Sequence, residues 1–539
     1  MVRSRTQGRP HILGIALAFA CAAAALGIAP GGAAAAVQPN TCVQTNSPAP
    51  GDPTDWTCWG PEATVSGYEV KRGNDRVPLP QGVDGHITDM EVELVDASEA
   101  PVPISRLMLH HIVFLNSGAS DSACGGPERF YGAGEERSRM DLPDGYGYEY
   151  DQTDTWFTAW MYMNHRAQTD SAFVQYKLTI DPDPAIRPVR SYWLDVGNCQ
   201  ADPIYNVPGT ELPAVQKCKK VGKNAKPKAK RRAAACREKA RRQRKARKRI
   251  AASEPTHTVS KDVEIKQNGF LVAGGGHTHG GSQELTITKP GCGNLEVARS
   301  EPTWGDADHD FYNVKPILHE PGPIGMSAWR TETGIPVKDG QVIRLNSVYD
   351  NVQPHTRVMG ISVVYLAKRD AAVDPPIVEC AGAPADVERS SGTPNGEAGR
   401  TEPVPFTVPL TGLDASGNAF EIDGPRGRFR TLSTGATVTV GDRFFSEPNV
   451  IVKKGTTLSY VFVGNEWHNV TLANGPMGIG SPDARAGAND VYNQTFTRSG
   501  TYRLFCGLHP VQMSERVLVK DTLKKGKKPR RKGKRRRKK

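Results

Sequence analysis

Four residues near the end of the chain carry its densest chemistry. Cys506, His509 and Met513 fall within FCGLHPVQM at residues 505–513, and His468 lies in VFVGNEWHNVTL. A single loop between two strands can aim a thiolate, an imidazole and a thioether spaced in this way at one point. His468, flanked by alternating apolar residues, sits where a strand enters and leaves a corner, and it supplies a second imidazole. Two imidazoles, one thiolate and a weak axial thioether are the ligand set of a blue (type 1) copper electron-transfer site. Thiolate and thioether favour Cu(I), imidazole accepts both oxidation states, and a rigid loop limits rearrangement as the electron moves.

Further potential ligands are spread through the first two thirds of the chain. His110 and His111 are adjacent in MLHHIVF, His165 stands in MNHR, His277 and His279 in GGGHTHGG, and Met359 in RVMGISVV. The i, i+2 spacing of His277 and His279 puts both imidazoles on one side of an extended backbone, and the flanking glycines permit close approach. Neighbouring residues such as His110 and His111 point to opposite faces of a regular strand, so they share an ion only across a bulge or through different ring nitrogens. Met359, on a β-branched strand, reads alone as a core residue. His309, His319 and His355 read as surface or supporting residues.

Two resemblances gather these groups. WHNV at 467–470, GTYRLFCGLHP at 500–510 and Met513 resemble the cupredoxin family, of the plastocyanin and amicyanin kind, over 437–520. That resemblance implies a Greek-key β-sandwich in which Asn469, after the first histidine, ties its strand to the cysteine loop. The order His-His, His, His-x-His, Met resembles the copper type II monooxygenases of the peptidylglycine hydroxylase kind. It implies two antiparallel β-sandwich subdomains, with one copper on His110, His111 and His165 and a second, dioxygen-binding copper on His277, His279 and Met359. GPEATVSGYEV, MLHHIVF, LPDGYGYE and NHR also resemble the plant stress-upregulated nodulin family. The amidating hydroxylases hold a peptide carboxylate with an Arg two residues before the His-x-His and a Tyr four after the Met. Gly275 and Val363 stand at those positions here, which argues against peptide amidation.

The elements that must position these ligands read as strands throughout. The Gly and Pro content, with few long helical periodicities, favours an all-β chain of about three domains. Residues 1–36, with early arginines, an apolar run and a small-residue end, read as a secretory signal; 37–61 is expected to be a Cys-containing loop segment. A first sandwich at 62–215 and a second at 253–370 flank a basic low-complexity insertion at 216–252. A linker at 371–405 and an extension at 406–436 lead to the cupredoxin unit at 437–520 and a basic tail at 521–539. Cys42, Cys58, Cys124, Cys199, Cys218, Cys236, Cys292 and Cys380 form an even set, as expected of disulfides in an exported chain. Their pairing is open, Cys42 with Cys58 being the easiest local pair.

The net charge of +12 hides two opposite parts, since 18 basic residues crowd 217–249 and 13 crowd 524–539, out of 69. The body is acidic. Export and the absence of interleaved aromatics argue against nucleic acid, whereas an anionic envelope surface suits basic appendages, each Lys or Arg near it adding about 1 kcal/mol. The chain therefore reads as an exported copper redox protein, extracellular or in the cell envelope, served by a redox partner protein or a small reductant. Its front part is expected to be either a two-copper monooxygenase or, alternatively, a scaffold in a non-enzymatic copper-binding electron carrier.

Overall fold

A computed structural model describes residues 37–523, apart from 198, 201, 212–214, 216, 317, 391–398, 405–407, 415, 425 and 489. The signal expected at 1–36 and the basic tail from 524 lie outside the described residues. The chain is all-β, with 48% of its residues in strands and 7% in helices, and the longest helix is the basic segment Pro227–Ser253.

One eleven-stranded sheet runs through the front part. Thr54–Val65, Asp170–Asp181, Gly85–Val95 and Tyr146–Tyr150 form one half; Arg187–Asp195 crosses to Gly360–Lys368, Gly269–Thr278 and Trp329–Val337 in the other. Each half is covered by a four-stranded sheet. The first cover is Val70–Val77, Trp156–Asn164, Leu107–Ser120 and Pro127–Gly134; the second is Thr256–Glu264, Val342–Asp350, Ser282–Lys289 and Leu295–Ser300. Alternating side chains close a core in each sandwich. Ile87, Leu94 and Tyr176 meet Ile112, Phe114 and Trp156 in the first, and Leu271, Ile335 and Leu366 meet Ile287, Ile343 and Leu345 in the second. The two sandwiches thus share one sheet, and their relative placement is fixed by backbone hydrogen bonding.

The last sandwich packs Arg430–Thr431, Asn449–Lys453, Ser514–Lys520, Gly500–Phe505 and Thr471–Asn474 against Phe444–Phe445, Ala436–Gly441, Thr457–Phe462 and Val491–Thr495. Its core of Val440, Tyr460, Val450 and Val517 is continuous with Val70, Met108, Met161 and Met163 of the first sandwich.

Three segments differ from expectation. Residues 37–61 are not loop alone, because Thr41–Gln44 and the start of Thr54–Val65 pair at the sheet edge, where Cys42 faces Cys58 and bonds to it. The described part of 371–405 is not a free linker either. Cys380 is bonded to Cys292, the Lys289 ammonium donates to the Glu379 and Ala381 carbonyls, and Glu388–Arg389 adds an edge strand to Trp329–Val337. In the basic insertion, Cys218 precedes the helix and folds back to bond Cys236 within it. The fourth bond is Cys124–Cys199. Among the described residues no helix is long and apolar enough to cross a membrane.

His355, fully buried, braces the second sandwich by donating Nδ1–H to Glu320 at 2.9 Å, with Asp350 3.8 Å from Nε2. Burial opposes its charge, but the two carboxylates outweigh that and push its pKa from 6.5 up to about 10. The ion pair therefore stabilises the fold fully below the unfolded-state value near 6.5 and fades as pH rises towards 10. His355→Leu is expected to lower the unfolding free energy by on the order of 3–5 kcal/mol near neutral pH. Denaturant melts across pH should show the gap from wild type shrinking as the wild-type imidazole loses its proton.

Candidate metal centres

The Cys506 centre is built on the turn between Gly500–Phe505 and Ser514–Lys520. Its base is closed by Cys506 N–H donating to the Met513 carbonyl at 3.1 Å, and His509 N–H donates to Cys506 O at 3.1 Å, so the loop is stiff before any ion enters. His468 is held against Ala484 by two backbone hydrogen bonds of 2.8 Å. The donor atoms converge: His468 Nδ1 is 3.2 Å from His509 Nδ1, and Cys506 Sγ is 3.7 and 3.8 Å from the two. An ion about 2.0 Å from each nitrogen and about 2.3 Å from the sulfur spans roughly 3.3 Å between nitrogens and roughly 3.7 Å from sulfur to nitrogen. The pocket fits such an ion, in the near-trigonal arrangement of a His2Cys copper site. Met513, 1% exposed, closes the loop from within.

Protonation at this centre is set by burial. Desolvation lowers the pKa of His468, and desolvation with His468 alongside pushes His509 to about 4, so both offer lone pairs near neutral pH. Burial pushes the Cys506 thiol up to about 11, so a cation must displace its proton. Asn469 organises the loop. Its N–H points at Cys506 Sγ at 3.4 Å, and its side-chain oxygen accepts from Gly507 N–H at 2.6 Å and the Thr471 hydroxyl at 2.8 Å. Its amide donates to Asp483 at 2.9 Å.

His110, His111, His277, His279 and His319 gather in one buried chamber between the two front sandwiches. Leu107–Ser120 carries a bulge between Leu109 and His111, opposite Tyr162 and Met161. Core-facing residues therefore switch from Leu107 and Leu109 to Ile112 and Phe114, and His110 and His111 bring their Nδ1 atoms to 2.8 Å. His277 and His279, at the end of Gly269–Thr278, bring their Nε2 atoms to 3.3 Å, again the span of two ligands on one ion. Ring centroids of His110 and His279 are 5.1 Å apart, and those of His110 and His319 are 4.9 Å apart.

Carboxylates and a tyrosine orient the chamber. Glu136 accepts Nδ1–H of His277 at 2.9 Å, which turns its Nε2 towards His279, and is itself held by Gly134 N–H and the Ser138 hydroxyl. Gly134 is required here because a Cβ would meet the His277 ring at 2.5 Å. Tyr349 accepts from His279 N–H at 2.8 Å and donates to the Met359 carbonyl at 2.6 Å, tethering the two. Burial lowers the pKa of His110 and His279 strongly, that of His111 to about 3 and that of His165 to about 4. For His277 burial opposes the charge, yet the Glu136 carboxylate raises its pKa overall.

Two cavities flank these rings. One of about 510 Å³ is lined by His111, His277 and Met359 together with Tyr131, Trp193 and Ile361. Another of about 270 Å³ is lined by His110, His279 and His319 on one side and by Asn469, Gly507 and Leu508 of the last sandwich on the other. Val70 N–H donates to the Leu508 carbonyl at 3.0 Å, so the Cys506 loop is stitched to the chamber wall. Asp483 completes the join, held by Arg72 at 2.9 Å and Arg357 at 2.9 Å as well as by Asn469.

The structure brings His110, His111, His277 and His279 into one cluster. His165 stands to one side, its Nδ1 bonded to the Pro316 carbonyl at 2.9 Å. Met359 is buried beside Trp193 and Ile361 and borders both cavities. His319, which reads from sequence as a surface or supporting residue, lies inside the chamber. Sequence reasoning misses Glu135, Glu136, Tyr349 and Asp483, and the acidic pair directly after Pro127–Gly134 is the one local signal that could have found any of them.

Comparison with known proteins matches the chain in parts. The family described as Stress up-regulated Nod 19 matches residues 150–369. Over 102 residues, 17% of this chain, it is 31% identical to a probable copper-dependent oxygenase, clz3, of Cochliobolus lunatus. Over 102 residues it is 32% identical to a probable copper-dependent oxygenase, M1, of a Phoma species. The match covers 33% and 26% of those relatives, so this chain spans a third or less of their length. Among solved structures, the purple cupredoxin of Nitrosopumilus maritimus aligns with 16% of this chain and 99% of its own, at 22% identity and a TM-score of 0.14. An amicyanin variant in its reduced Cu(I) form aligns with 16% of this chain and 86% of its own, at 29% identity and a TM-score of 0.15. Over limited stretches, then, the chain is similar to the Stress up-regulated Nod 19 family, to copper-dependent oxygenases and to cupredoxins.

Proposed function

We propose that this chain is an exported copper redox protein. In this reading His468, Cys506, His509 and Met513 would hold a type 1 copper that would supply single electrons, the histidine chamber would hold further copper, and dioxygen would be the oxidant of an apolar organic molecule held in the 510 Å³ cavity. The observation that carries it is the shared wall: the backbone after Cys506 lines the same cavity as His110, His279 and His319. Copper in these ligand sets supplies one-electron redox chemistry.

The residues divide the work. Glu136 holds the His277 ring in place by accepting its Nδ1–H, and Tyr349 fixes the backbone of His279 and Met359. Asn469 and Val70 keep the Cys506 loop against the chamber. Gly275 and Val363 are cross-strand partners that both line the large cavity, so the place where amidating hydroxylases grip a carboxylate is apolar here. Arg72, Arg129 and Arg139 also line it, but each is paired with a carboxylate, Asp483, Asp121 and Asp89 respectively. Such a cavity suits an uncharged substrate.

On the far side, His468 Nε2 and His509 Nε2 lie 3.3 and 3.5 Å from the half-exposed carboxylates of Asp442 and Glu466, an acidic rim for a reducing partner. Four disulfides suit an oxidising compartment outside the cytoplasm, and the solvent-facing basic helix suits an anionic envelope surface.

Copper-loaded wild type is expected to be coloured and to couple oxygen uptake to oxidation of a reduced donor. His279→Ala should keep the colour and lose the uptake; Cys506→Ser should lose the colour and sustained turnover with a protein donor. A coloured protein with one copper per chain and no oxygen uptake would support the non-enzymatic electron carrier instead. Glu136→Gln, which weakens the grip on His277, is expected to lower copper affinity at the chamber or its turnover roughly 10–100-fold, with the visible spectrum of the Cys506 centre unchanged.

A further inference from the structure

The chamber holds a second kind of donor set beside the His277–His279 pair. Glu135 follows directly on Pro127–Gly134, and its Oε2 is pinned by Gly322 N–H at 3.0 Å, which turns Oε1 inwards. There Oε1 touches His319 Nε2 and lies 3.7 Å from His110 Nε2. One ligand atom from each of His110, Glu135 and His319 falls within 4.8 Å of the others. We propose that these three residues bind a divalent first-row metal ion, at a site separate from the His277–His279–Met359 set and from the Cys506 centre.

The Glu135 side chain is 5% exposed, and its ion-pairing neighbours among the described residues are the two imidazoles alone. A buried carboxylate without a fixed cation is costly, and a divalent ion removes that cost. The His110 ring is also turned the right way, because its Nδ1 is engaged by His111 Nδ1 at 2.8 Å and Nε2 is the ring nitrogen that faces Glu135. This places His111 behind His110, as an orienting group. Finally, Glu135 Oε1 and His319 Nε2, two of the three proposed ligand atoms, are buried without hydrogen-bond partners among the described residues, the mark of a polar site whose occupant is an ion or water.

Two imidazoles and one carboxylate with the remaining positions open is a donor set used by zinc and non-haem iron sites. The open positions face the 270 Å³ cavity, which His110 and His319 line. Zn²⁺ is the direct probe, being free of redox chemistry. In crystals of the full chain soaked with Zn²⁺, anomalous scattering at the zinc edge is expected to place an ion about 2.0–2.2 Å from His110 Nε2, Glu135 Oε1 and His319 Nε2. In solution, His319→Ala and Glu135→Gln should each lose one bound Zn²⁺ per chain relative to wild type, whereas Cys506→Ser should lose a different one. No anomalous peak between the three residues overturns the proposal, as does an ion on His110 and His111 that survives His319→Ala. Failure of the oxygen-uptake experiment leaves this outcome untouched, because zinc occupancy is read without turnover.

Discussion

The carboxylate of Asp483 joins everything else in this molecule. Its side chain is 1% exposed, and it receives Arg72 from the first sandwich, Arg357 from the second and Asn469 from the strand corner beside Cys506. Breaking a buried, hydrogen-bonded charge costs about 3–5 kcal/mol because the partner is left uncompensated, so the three sandwiches are held in one relative placement. Arg357 adopts a left-handed φ of 55°, a conformation that bulky residues rarely take. Its ion pairs to Asp483 and Asp202 and its bond to the Ser481 carbonyl hold it there. Arg72 in turn lies over the ring of Trp467, next to His468. The grip that docks the last sandwich therefore also sets the loop that carries the Cys506 thiol.

A second constraint is that the donor atoms are kept available. Five imidazoles packed within one chamber cannot all be charged, and burial resolves this by holding His110, His111 and His279 neutral. A neutral ring has a lone pair, and the fold decides which nitrogen carries it by giving the other a fixed partner, as the Pro316 carbonyl does for His165. At Cys506 the opposite holds. Burial favours the protonated thiol, so a metal ion held there would displace a proton and bind more tightly as pH rises.

How much of this is legible in the sequence follows from how local each feature is. The Cys506–Met513 loop can be read because its ligands sit on one turn, and His277 with His279 because strand alternation puts them on one side. The His110–His111 pair is ambiguous, since it depends on a bulge. Its trace, the inward residues slipping from Leu107 and Leu109 to Ile112 and Phe114, is hidden by Met108 and Val113, which are apolar as well. His319 lies in the irregular stretch between Leu295–Ser300 and Trp329–Val337, where no periodicity predicts direction. Asp483 is one carboxylate in a loop, and only tertiary packing gives it three partners. The continuity of the long sheet is equally hidden, for it rests on Arg187–Asp195 pairing with Gly360–Lys368 across about 170 intervening residues.

That continuity explains why the chamber has two sides. Gly269–Thr278 delivers His277 at its end and pairs along its length with Gly360–Lys368, which starts beside Met359. The same two strands therefore present ligands at one end and, at Gly275 and Val363, the wall of the large cavity. The bulged strand of the first sandwich brings His110 and His111 against them from across the interface, and His111 and Met359 border both cavities. A molecule in the larger cavity and the Cys506 loop beyond the smaller one are thus separated by a single layer of imidazoles and a thioether. The imidazoles and thioether of that layer keep the contents of the larger cavity apart from the Cys506 loop while offering donor atoms to both sides.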